Sequence, residues 1–217
     1  MAKIIAHRGF AKHNTENSFE AFRFAAASDC YGIETDVHKT RDGVFVCFHD
    51  DNTLRIHGQE LIVSDVTYPH LQKFKIPTLA EYIDICANGN KVAVVELKNP
   101  FPKRDIKLIV NEIRELGYLD NTIFISFVAG NIIRLRRMLP HQQLQFITAV
   151  WNEKILRKLA RYNVGLDIEF TCLSKQRIAH AQSMKIQLNC WTLNDPKIAK
   201  YFADCGIDYI TTDTYPP

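Results

Sequence analysis

A chain of 217 residues with 47% hydrophobic content is long enough to bury one large core, and we read a single domain over residues 1–217. Its 27 basic and 24 acidic residues leave a net charge of +3 with no block of like charge, so nucleic acid is not expected as a partner and neither is a charged membrane surface. The opening sequence MAKIIAHRG enters a strand-like run at once and no apolar run approaches the ~18 residues of a membrane span, so no stable membrane insertion and a cytoplasmic location are expected.

Strand-like runs alternate with amphipathic helical patterns from end to end, which is the mark of parallel βα units. The candidate strands are 3–7, 32–38, 44–49, 91–98, 122–127, 144–150, 165–169, 187–192 and 208–212. A first helix starts near Asn17 or Ser18 and buries Phe19, Phe22 and Ala26. A second begins after Pro77 with Thr78 as N-cap and Glu81 three residues on, a capping box. A third places Ile106, Ile109, Val110, Ile113 and Leu116 at helical spacing and stops at Gly117. Later helices follow Asn131, Asn152, Ser174 and Asp195, the last with Pro196 in its first turn.

Such a series closes most simply into a compact (β/α)8 TIM barrel. There is one strand candidate too many. Thr40-Arg41-Asp42-Gly43 is too short for a crossover helix, so either that turn makes a local excursion or one late candidate lies outside the barrel. Residues 52–75 show no period and read as a short irregular insertion after the His49-Asp50 strand, over the barrel mouth.

The ionisable residues fall at strand ends. Glu34 and Asp36 are two apart and share a strand face, as do Glu96 and Lys98. His7 and His49 also end their strands, and in barrels of this kind the reacting groups sit at that end, supplied by several strands. Three converging carboxylates raise one another's pKa unless a cation balances them, and their hard oxygen donors fit one divalent metal ion, Mg²⁺ or Ca²⁺, better than zinc. A divalent ion leaves the carboxylates one negative charge in excess. Arg8 and Lys98 turn that into one positive charge, which a singly charged phosphodiester neutralises. His7 and His49 are the candidates for taking and giving the protons that cleavage requires near neutral pH.

These residues resemble the glycerophosphodiester phosphodiesterase family. The matching pieces are HRG at His7 to Gly9, ENS at Glu16 to Ser18, ExDV from Glu34, TxDG from Thr40, HD at His49-Asp50, IPTLAEYI from Ile76, ELK from Glu96, SF at Ser126-Phe127, WTLND from Trp191 and TTD ending at Asp213. The resemblance implies a barrel like that of phosphatidylinositol-specific phospholipase C, hydrolysing small glycerophosphodiesters to sn-glycerol 3-phosphate and an alcohol. It implies His7 and His49 as the acid/base pair, Arg8 and Lys98 on the phosphate, and Glu34, Asp36 and Glu96 on the metal. Glu16, Asn17 and Asp50 become supporting residues, and Phe127 and Trp191 walls for the glycerol. A lysophospholipase D-like or cyclising reaction is the alternative, and a non-catalytic phosphodiester-binding barrel a more distant one. Three departures stand out: ENS at Glu16 to Ser18 where the family usually has ENT, Arg55-Ile56-His57 where it carries an R-x-T type motif, and Pro216 one position later than in the usual TDxP.

Overall fold

Strands that are apolar on both faces need cover on both, and a closed barrel sheathed by helices supplies it. The computed structural model describes residues 2–214, which leaves Pro216 outside the described residues. In chain order the strands are β1 (Lys3–Ala6), β2 (Gly32–Lys39), β3 (Phe45–Cys47), β4 (Val92–Leu97), β5 (Thr122–Ser126), β6 (Leu144–Thr148), β7 (Gly165–Glu169), β8 (Leu188–Trp191) and β9 (Tyr209–Thr212). All but β3 run parallel and close into an eight-stranded barrel, with β1 joined to β2 on one side and to β9 on the other.

The surplus strand is the local excursion. The turn after β2 reverses the chain, and β3 pairs antiparallel with the upper part of β2, Val37 opposite Cys47 and Lys39 opposite Phe45. β1 pairs with β2 only at Gly32 and Ile33, so β3 occupies a stretch of β2 that β1 is too short to reach. Every later candidate is a barrel strand. His49 therefore lies two residues beyond β3, and His7 opens a turn of 3-10 helix, His7–Gly9, just past β1.

The helices are α1 (Phe19–Ala26), α2 (Leu54–His57), α3 (Tyr68–Gln72), α4 (Leu79–Asn88), α5 (Lys103–Glu115), α6 (Ala129–Met138), α7 (Glu153–Tyr162), α8 (Lys175–Ser183) and α9 (Pro196–Asp204). The capping box at Thr78 and Glu81 is present, and Asn152, Ser174 and Asp195 cap their helices through their side chains. Three expectations are corrected. α1 buries Ala21, Phe22 and Ala25, while Phe19 and Ala26 are only half-buried, because the buried stripe is turned one residue from the one expected. Leu116 is the C-cap just beyond α5 and is 40% exposed. Asn131 is no cap but a buried residue inside α6, where its Oδ1 accepts from the Phe101 amide at 3.1 Å and its Nδ2 donates to the Asn99 carbonyl at 2.8 Å. It ties α6 to the loop that follows β4.

The insertion is more ordered than an irregular loop. α2, α3 and a 3-10 turn at Val63–Asp65 enclose a small core of Val46, Phe48, Val63, Leu71 and Ile76. His57 is stacked between Phe48 and Phe74, with ring centroids 5.8 and 4.5 Å away. Its apolar residues are gathered by stacking and by short helices, so no single period runs through them.

Strand parity separates two cores. One face of the strands, with Phe22, Tyr82 and Ile109 from the helices, builds the larger one between sheet and helices. Alternate residues Ile5, Val94, Ile123, Ile125, Ile147 and Tyr209 form a second cluster that fills the barrel. Glu34, Asp36 and Glu96 share its parity: Glu34 stands opposite Val94 and Glu96 opposite Ile125, so the polar site is set directly against the apolar filling of the barrel.

Candidate active site

The site begins with the backbone between β1 and α1. Arg8, Gly9 and Phe10 have φ of +49°, +81° and +64°, three successive residues in the left-handed region. This coil turns the chain sharply enough for the Arg8 amide to donate to Glu34 Oε2 at 2.9 Å. Gly9 has no substitute there: a Cβ would lie 2.6 Å from the backbone carbon of Ala21 in α1. Gly9→Ala is expected to lower unfolding stability by about 3 kcal/mol or more, from backbone strain plus overpacking. Urea denaturation measures it, and a loss under about 1 kcal/mol would contradict the close packing.

The three carboxylates come from neighbouring strands, with Asp36 directly opposite Glu96 in the β2–β4 register. Glu34, Asp36 and Glu96 are buried and each offers an oxygen within 4.8 Å of the others. Burial first, then repulsion from Asp36 and Glu96, pushes Glu34 well above the usual carboxylate range. Glu96 is pushed up to about 8 by burial and by Asp36. Asp36 goes the other way: burial works against its charge, but Arg8 and Lys98 outweigh it and hold it below its ordinary value. Arg8 Nε lies 3.2 Å from Asp36, and Lys98 Nζ lies 3.5 Å from Asp36 and 3.4 Å from Glu96. Asn17 donates to Asp36 at 2.9 Å and accepts from Thr35 at 2.8 Å, which fixes the first of these carboxylates in place.

Both histidines are held through Nδ1 by a carboxylate. His7 Nδ1 is 2.6 Å from Asp213 Oδ1, and His49 Nδ1 is 2.7 Å from Asp50 Oδ1. An ionised carboxylate only accepts, so each ring donates through Nδ1 to its own carboxylate. Asp50 is held down to about 2, chiefly by hydrogen bonds from Arg55 and His49. Burial lowers the pKa of His49 itself. His38 braces the same loop: its Nδ1 accepts from Asn99 and its Nε2 donates to the His49 carbonyl at 3.1 Å.

Arg55 is the centre of a second bridge. Its Nε donates to Asp50 at 2.6 Å, and its two terminal nitrogens donate to Glu16 at 3.0 and 2.6 Å. Glu16 also accepts from Arg8 at 2.8 Å, so this carboxylate serves two arginines. The segment Arg55-Ile56-His57 thus splits between a polar clamp at Arg55 and a core ring at His57.

A pocket of about 190 Å³ brings His7, His49, Arg8, Lys98, Glu34 and Glu96 to one concave surface. Phe127 and Trp191 stand edge to face at its wall, with centroids 5.5 Å apart. Asp36 and Asn17 lie behind this surface; Glu16 and Asp50 flank it.

Three residues join that the sequence reading did not assign. Asp213 orients His7 and is itself held by Asn194, which donates to Oδ2 at 2.9 Å and accepts from the Asp213 amide at 2.8 Å. Its position at the end of the last strand was the available signal. Asp167 lines the pocket from β7, buried and pushed well above the usual carboxylate range by burial and by Glu96. A lone acid at an inward position of an apolar strand would have pointed to it.

The model of the Glycerophosphoryl diester phosphodiesterase family matches residues 7–215. A glycerophosphodiester phosphodiesterase of Bacillus altitudinis is 26% identical over 98% of this chain and 95% of its own. Among solved structures, a phosphodiesterase of Oleispira antarctica in complex with the product sn-glycerol-3-phosphate superposes with a TM-score of 0.89 at 21% identity, over 98% of this chain and 93% of that one. A glycerophosphodiester phosphodiesterase from Parabacteroides distasonis gives 0.85 at 27% identity, covering 98% and 92%.

Proposed function

The chain belongs to the glycerophosphoryl diester phosphodiesterase family, and we propose on that premise that it hydrolyses small glycerophosphodiesters to sn-glycerol 3-phosphate and an alcohol. The observation that carries the reading is the pairing of His7 and His49 on one pocket, each oriented by its own carboxylate, with Arg8 and Lys98 beside them.

Arg8 and Lys98 bind the phosphodiester through its non-bridging oxygens, since a planar guanidinium and an ammonium at one wall match a tetrahedral anion. One histidine accepts at Nε2 the proton of the attacking water, or of a glycerol hydroxyl whose cyclic phosphate water then opens, and the other supplies a proton to the leaving alkoxide oxygen. The carboxylates at Nδ1 keep both rings in the tautomer this exchange needs and stabilise the charged ring that forms. Phe127 and Trp191 flank the glycerol and exclude water from its apolar edge.

Glu34, Asp36 and Glu96 fit a divalent cation of the Mg²⁺ or Ca²⁺ type. Two of the three, Glu34 and Glu96, are pushed up by burial and then by neighbouring carboxylates, which is the state of a site built to share a positive charge. When bound, such an ion supplies polarisation of phosphoryl and hydroxyl oxygens and offsets the charge that gathers in the transition state. All six cysteines are free and four are buried, which supports a reducing, cytoplasmic location. Among the described residues no helix is long and apolar enough to cross a membrane.

The deciding experiment offers the purified protein glycerophosphocholine, glycerophosphoethanolamine, glycerophosphoglycerol and a lysophospholipid, each with Mg²⁺, Ca²⁺ or EDTA. Metal-dependent release of sn-glycerol 3-phosphate from the first three is expected. No product from any of them would sink the reading, and a preference for the lysophospholipid would replace it with a lysophospholipase D reaction.

A further inference from the structure

A second concave feature lies between helices of the barrel wall and shares no lining residue with the active-site pocket. A groove of about 450 Å³ opens between α6 and α7, within the size range of small-molecule sites. Its walls follow helical spacing: Ile133 and Arg137 on α6 face Ile155, Lys158 and Tyr162 on α7, with Phe146 of β6 at the floor. Ile133 is 52% exposed and Tyr162 54%, so the apolar lining continues onto the open surface.

The charge around this groove is one-sided. Between residues 129 and 162 seven positions are Lys or Arg and a single one, Glu153, is acidic, while the rest of the chain carries more acids than bases. The overall charge of +3 averages this face away. Arg136 is half-buried and spends its guanidinium on the carbonyls of Leu139, Pro140, Gln142 and Asn163. Arg137 and Lys158 sit at the rim, and among the described residues neither forms an ion pair.

We propose that the α6–α7 groove docks the protein on an anionic phospholipid bilayer, with one acyl chain lying in the groove and its phosphate between Arg137 and Lys158. An apolar floor with a cationic rim matches the two parts of an anionic lipid, and surface cations add their attraction to a negatively charged leaflet. A second copy of the chain would bring the same basic face against itself, which like-charge repulsion opposes. A nucleic acid would pair with the cations and leave the apolar floor unfilled. The lining spans Ala129 to Arg137 on α6 and Ile155 to Tyr162 on α7 and includes no residue of the active-site pocket.

The test is co-sedimentation of the full chain with vesicles of phosphatidylglycerol and phosphatidylcholine, against vesicles of phosphatidylcholine alone. The protein is expected to sediment with the anionic vesicles and to be released by salt. The double variant Arg137→Glu/Lys158→Glu should bind about tenfold more weakly or worse. Ile133→Glu should weaken binding as well, and both variants should hydrolyse a soluble glycerophosphodiester at the unaltered rate, which certifies their fold. The proposal is overturned if the unaltered protein ignores anionic vesicles or binds both kinds alike, if the double variant binds as well as the parent, or if these residues serve duplex DNA or self-association instead.

Discussion

Replacing His49 with alanine is expected to lower kcat by about 10²–10⁴-fold while leaving the protein folded. The ring is part-exposed and its removal opens no core cavity, so the loss would come from the missing proton carrier rather than from unfolding. Its Nδ1 is committed to Asp50, and Arg55 holds Asp50 in turn. Only Nε2 remains for the proposed proton transfer. Steady-state hydrolysis of glycerophosphocholine reads the effect, and a comparison substrate with a p-nitrophenyl leaving group refines it. If His49 protonates the leaving oxygen, the phenolate needs little help and the variant recovers most of its rate. If it accepts the first proton, both substrates suffer alike. A fall in kcat of less than about tenfold on the natural substrate would remove His49 from either role.

Metal removal has the second large expected effect, and it couples to pH. Without a cation, Glu34 and Glu96 are raised above their unfolded values by burial and by neighbouring carboxylates. A carboxylate raised on folding binds more protons in the native state, so its contribution is fully favourable below the unfolded pKa of about 4.5 and is lost as pH rises through about 8. The metal-free protein should therefore melt at progressively lower temperature between those limits. Saturating Mg²⁺ or Ca²⁺ should flatten the curve, because the ion takes over the role of the proton. At a hundred times Kd the gain is about 2.7 kcal/mol, or roughly 5–10 °C for a chain of this length. Calorimetric scans with EDTA and with added metal across this pH range measure it. A melting temperature indifferent to metal at the alkaline end would show that the three carboxylates do not share an ion.

The network around Arg55 explains why one part of the site resisted a reading by motif. Arg55-Ile56-His57 breaks a familiar local pattern, yet Arg55 still reaches Asp50 and Glu16, whose partners are His49 and Arg8. Its use is defined by what stands across from it. The same holds for Asp213, which is separated from His7 by nearly the whole chain and meets it only because β9 closes against β1.

What the sequence by itself determined was local and periodic. Alternation of strands and helices dictated the parallel barrel, period-two spacing put Glu34 with Asp36 and Glu96 with Lys98, and turn and cap residues marked most helix ends. What only the tertiary structure decided was long-range pairing. The short turn after Thr40 did not say whether β3 entered the barrel, since that depended on how far β1 reached along β2. The insertion looked irregular because its core is assembled by ring stacking across it, which leaves no period in the chain. The basic groove stayed hidden for a related reason: its charges are spread along two helices and become one face only when β5, β6 and β7 set α6 beside α7. Periodicity is a property of one element, whereas barrel closure, orientation of a histidine by a distant carboxylate and a surface shared by two helices are properties of how elements meet.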